Sequence, residues 1–165
     1  NVSSALAHIP LRFGERVRYH FYRGTLTHVG RDVSFKQGSF ANYRDASIGD
    51  RVLIGYGTNL GHVEIGDDVQ FGGFTIVTSG MRQHLFTDPD QPIRKQHGVR
   101  DLVRIGDDVW IGTHAVVGAD VGSRCVVGAG SVVVKPVDDR TVVAGNPARP
   151  LKALAGEDEG GGAEG

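Results

Sequence analysis

The chain has 165 residues, 25 of them glycine, with only 7% aromatic side chains and a formal net charge of −1. That balance excludes a basic nucleic-acid footprint, and no run of about 18 apolar residues offers a membrane-spanning helix. The single cysteine, Cys125, cannot close an internal disulfide, which suits a reducing, cytoplasmic setting.

Residues 1–28 read as an N-terminal cap or irregular segment. The chain begins at Asn1 rather than Met, as a trimmed or processed start would. From Leu11 to Phe21, Leu, Val, Tyr and Phe mix with Arg without a decisive period. A helix and an irregular cap both remain open there.

Residues 29–155 repeat themselves. Ile48-Gly49-Asp50-Arg51-Val52, Ile65-Gly66-Asp67-Asp68-Val69 and Ile105-Gly106-Asp107-Asp108-Val109 share one signature, and Val127-Gly128 and Val133 continue it. An aliphatic residue recurs every six positions, usually followed by Gly, with another apolar residue four on. That period fits neither a helix of 3.6 nor a strand of 2. It fits an all-β solenoid of short strands and corners, three hexads to a coil. The aliphatic residues should point inward. The glycines should sit where a side chain collides or φ turns positive, and corner Asp should bond its own backbone. A β-sandwich predicts strands every 8–12 residues in alternation, which this spacing does not follow.

Strict hexads place an aliphatic residue at 123, where Ser123 stands, and Val117 to Val127 spans ten residues. One coil near 120–123 is therefore expected to be short or bulged. Between Val77 and Leu102 the repeat stops, and a loop of about 79–101 is expected to leave the coil at a corner. Such excursions from a rigid scaffold are where function concentrates. The tail 156–165, Gly-Glu-Asp-Glu-Gly-Gly-Gly-Ala-Glu-Gly, has no side chain to bury and is expected to be disordered.

Ile105–Gly112, Val127–Val133 and Val143-Ala-Gly-Asn-Pro-Ala-Arg149 together resemble the hexapeptide-repeat acetyltransferases, above all the maltose, galactoside and capsular-polysaccharide O-acetyltransferases. The resemblance implies a left-handed parallel β-helix and a homotrimer with active sites between subunits. It implies acetyl-CoA as co-substrate, no required metal, and a sugar or polysaccharide precursor as acceptor.

A hydroxyl attacks a thioester only as it loses its proton, and imidazole suits that task near neutral pH. By the resemblance, His84, ahead of Asp88-Pro89, is the general base, with His97 a second candidate. The resemblance places Asn59, Trp110 and Asp88 at the acceptor. It places Gly112, Ala129, Gly130, Lys135 and Arg149 along the coenzyme. The polar loop residues Arg82, Gln83, Asp88 and Asp90 fit a hydroxylated acceptor. Three alternatives stand beside this reading: N-acetylation of an amine, a non-catalytic β-helix used in assembly, and a covalent route through Cys125. The zinc carbonic anhydrases that share the fold carry paired histidines five apart, whereas the histidines of the repeat region here stand at 62, 84, 97 and 114.

Overall fold

The computed structural model describes residues 2–154; the tail expected to be disordered lies outside them. Strands of two to five residues stack into three parallel faces, forming the left-handed β-helix. Face one stacks His28–Val29, Ser47–Ile48, Val63–Ile65 and Val103–Ile105. Face two stacks Ser34–Phe35, Leu53–Ile54, Gln70–Phe71, Trp110–Ile111, Val126–Val127 and Thr141–Ala144. Face three stacks Phe40–Ala41, Asn59–Leu60, Ile76–Val77, Val116–Val117 and Val132–Val133. Arg149–Ala153 closes face two with one antiparallel pairing.

Most strands turn one or two apolar side chains inward. Ile48, Ile65 and Ile105 stack from face one; Ile54, Phe71, Ile111 and Val127 from face two; Leu60, Val77, Val117 and Val133 from face three. All are buried in one continuous core, which replaces the aromatic interior that the composition lacks.

Of the two corner expectations, the one for glycine holds through crowding and the one for aspartate needs correction. The residues with positive φ between faces one and two are Asp32, Arg51, Asp68, Asp108, Arg124 and Arg140, three after each inward aliphatic, and not the glycines. The glycines are required by crowding: a Cβ on Gly49 would lie 2.6 Å from the Gly66 carbonyl oxygen of the next coil. The corner aspartates bond a neighbouring coil rather than themselves. Asp67 accepts the Asp50 N–H at 2.7 Å, and Asp107 accepts the Asp67 N–H at 2.8 Å.

Ser123 belongs to this ladder. Its hydroxyl accepts the Asp107 N–H at 3.0 Å, and its own N–H donates to Asp139 at 2.8 Å. The inward aliphatic is therefore Val121, 2% exposed. The shortening is real but is no local defect. Ile111 pairs with Val127, and Val127 with Val143, so successive coils both take sixteen residues. The corner between faces three and one is turned in fewer residues each time.

The N-terminal segment is helical: α1 (Val2–Ala7) and α2 (Leu11–Arg23). The second covers the open end of the prism. Tyr22 packs on Phe35, ring centroids 4.6 Å apart, and its hydroxyl accepts the Ala41 N–H. Buried Arg18 donates to the carbonyls of Phe35, Leu6 and Ile9, tying both helices to the first coil.

Candidate active site

The loop leaves face three after Val77 and rejoins face one at Val103, and its two arms are clamped where they meet the coil. The His62 N–H donates to Ser79 Oγ at 3.0 Å, and the His62 carbonyl accepts the Val103 N–H at 3.0 Å. The Asp101 N–H donates to the Ser79 carbonyl at 2.9 Å. Arg82 grips Asp101 through two hydrogen bonds of 2.6 and 3.1 Å, which hold the Asp101 carboxyl below its ordinary pKa. Arg100 donates to Asp45 at 3.1 Å and lies 4.3 Å over the Tyr43 ring, while His62 Nε2 stands 3.4 Å from the same carboxylate.

Further out, His84 faces His97 across an antiparallel bridge, so the two candidate bases are brought to one place. Both are exposed. Gln96, buried beneath them, donates to the carbonyls of Asp88 and Gln91 at 2.8 Å each and accepts the Asp88 N–H at 3.1 Å. One amide thus closes the turn that follows His84. The Asp88 carboxylate accepts the Asp90 N–H at 3.0 Å, an Asx-type turn that stiffens the same tip. Gln96, Asp101 and Asp45 were not singled out by sequence reasoning. The loop surface is also less polar than its charged residues suggest, since Met81, Leu85, Phe86, Ile93 and Val99 are all exposed.

The remaining candidates occupy different faces. Asn59 lies on face three and accepts a hydrogen bond from Asn42 one coil below, at 2.6 Å. Trp110 lies on face two, 58% exposed, beside a shallow cleft of about 330 Å³ shared with Gln70, Val126 and Leu154. Asn59, Trp110 and His84 thus stand on face three, face two and the loop that leaves face three. Ala129 and Gly130 are exposed at the corner between faces two and three. Gly112 is buried at the same corner. The space where its side chain would stand is taken by Ala129 of the next coil, so its smallness serves coil stacking rather than ligand approach. Lys135 and Arg149 are exposed, and Arg149 bonds only the Ala148 carbonyl. Among the described residues no group of three or more His, Cys, Asp or Glu is gathered as a metal site. No helix among them is long and apolar enough to cross a membrane.

A profile described as the hexapeptide repeat of succinyl-transferase matches residues 102–135. That stretch of the chain carries the hexapeptide repeat. A maltose O-acetyltransferase of Clostridium difficile superposes with a TM-score of 0.80 at 26% identity, over 94% of this chain and 84% of that one. A hexapeptide-repeat acetyltransferase of Vibrio cholerae, solved with acetyl coenzyme A, gives 0.73 at 27% identity, over 94% and 85%. Galactoside O-acetyltransferase of Escherichia coli is 28% identical over 144 residues, 85% of this chain and 60% of the relative. A probable acetyltransferase of Mycobacterium tuberculosis is 30% identical over 131 residues, 75% of this chain and 43% of that protein. The chain thus spans about half the length of the curated relatives it matches.

Proposed function

We propose that this protein is an acetyl-CoA-dependent O-acetyltransferase acting on a hydroxyl of a sugar or polysaccharide precursor, as a cytoplasmic homotrimer. The observation that carries the reading is the clamped loop, which fixes exposed His84 beside a hexapeptide coil similar to coils of acetyltransferases. The placement of Trp110 on face two, away from Asn59 and the loop's exit on face three, supports a site completed by a neighbouring subunit.

In the proposed reaction His84 takes the acceptor's hydroxyl proton as the oxygen attacks the thioester carbonyl. Backbone N–H groups of the adjacent coil or subunit stabilise the oxyanion. The carbon–sulfur bond breaks, the acetyl group stays on the acceptor oxygen, and the imidazolium returns the proton to the leaving thiolate. Asn59, Trp110 and Asp88 face the acceptor. Ala129 and Gly130 border the pantetheine arm, on a corner that Gly112 keeps tight, and Lys135 and Arg149 meet the phosphates.

The test is thiol release from acetyl-CoA across sugars, nucleotide sugars and amino sugars, with product analysis. The His84→Ala variant is expected to lose at least about 100-fold in transfer rate while keeping its melting temperature. Near-wild-type turnover in that variant excludes His84 as base, and an N-acetylated product overturns the hydroxyl acceptor.

A further inference from the structure

Left-handed backbone recurs at the corner between faces two and three, at Gly38, Gly57, Phe74, His114 and Gly130, with φ of 80°, 64°, 56°, 60° and 67°. Each sits one coil above the last: the N–H groups of Gly57, Phe74, His114 and Gly130 donate to the carbonyls of Gln37, Tyr56, Gly73 and Thr113. Glycine suits such a position, and a phenylalanine there is a genuine outlier costing about 1–3 kcal/mol. The two non-glycine residues both carry flat rings.

Those rings form a column. The Phe74 ring lies over Gly57, where a Cβ would come within 2.5 Å of it. The His114 ring stacks on Phe74 at 5.3 Å between centroids and 11° between planes. Then the column stops. Gly130 holds the next rung with no side chain, and a Cβ built there meets no atom within 4 Å. One slot, a coil's rise in height, stands open over exposed His114, beside exposed Ala129. The corner continues upward to Gly145, whose carbonyl accepts the Val132 N–H, and so to the turn before Arg149.

We propose that His114 is a stacking platform for an amide plane of the coenzyme's pantetheine arm, which enters the slot that Gly130 leaves empty. The proposal rests on the acetyl-CoA reading above and adds a positioning residue to it. An arm descending along this corner from the turn before Arg149, toward the loop of a neighbouring subunit, meets this slot. An amide is planar and stacks on a ring as a third member of the column. Phe74 acts through His114, holding its ring parallel to the coil.

Calorimetric titration with coenzyme A and with adenosine 3′,5′-bisphosphate, which lacks the arm, tests this. His114→Ala is expected to weaken coenzyme A about 3- to 10-fold and leave the bisphosphate within about twofold. His114→Phe keeps coenzyme A within about twofold of wild type. Gly130→Asn, tolerated at positive φ, fills the slot and weakens coenzyme A again. Thermal melting establishes that each variant is folded. Unchanged coenzyme A affinity in His114→Ala, or equal losses for both ligands, overturns the platform. A wild-type protein that binds neither ligand overturns the acetyl-CoA reading itself.

Discussion

Cys125 lies in the core, 1% exposed, with its Sγ 3.0 Å from the Asp138 carbonyl. Burial pushes its thiol pKa up, so the thiolate that a covalent route needs is scarce near neutral pH. The native protein is therefore expected to resist a disulfide-exchange reagent such as dithionitrobenzoate and to react with one equivalent only after denaturation. Rapid reaction in the folded state would restore the covalent alternative. The inward residues were legible because an aliphatic followed by glycine states two local needs at once, a core contact and a close coil. Ser123 marked the short coil, but its place in the hydrogen-bond ladder was not legible, because a hydroxyl there substitutes for a carboxylate and its partners lie sixteen positions away. Gln96 was not legible at all, since its partners are backbone carbonyls that only the folded loop assembles.

Among the elements, the loop depends most on charge. The Asp101 carboxyl is held low by its hydrogen bonds to Arg82. A lowered pKa means the clamp is complete above the unfolded carboxylate value of about 3.9 and is lost as pH falls through the lower folded value. The pair is exposed, so release should loosen the loop and leave the coil standing. Amide exchange at Val99 and Asp101, whose N–H groups bond Arg82 and Ser79, should lose protection below about pH 4. Asp101→Asn should show the same loss at neutral pH. Protection that persists in that variant would mean that Arg100 and Asp45 hold the arm alone. The loop's place between Val77 and Leu102 was legible from the broken repeat, whereas its clamps were not, because Asp45 and Arg100 lie 55 residues apart. Separation in sequence also hides the ring column, since Phe74 and His114 become neighbours only once the loop is excluded from the count.

For the molecule as a whole, the period of six implied a solenoid but carried no hand and no partner. Trp110 on face two, Phe74 and Ile76 at and beside the corner leading into face three, and Phe86 on the loop are exposed, apolar groups that the proposed trimer would cover. Sedimentation equilibrium is expected to give three times the 17.6 kDa chain mass. A species of single-chain mass at micromolar concentration would remove the intersubunit site. The short coils were visible in the spacing, yet their cause was not: the corner between faces three and one is turned in fewer residues in the later coils, where face one continues only as single bridges at Val121 and Val137.

The excursion after Val77 has a consequence of its own. Val77 pairs with Val117 forty residues on, and Val117 with Val133 after sixteen, yet the register on face three is unbroken. The scaffold does not register how much chain is parked between its rungs, provided both ends are fastened at His62 and Ser79. Such a segment can be exchanged as a cassette. Under the proposed function, transplanting it between coils of this kind is expected to move acceptor preference from one protein to another and leave the proposed coenzyme corner where it was.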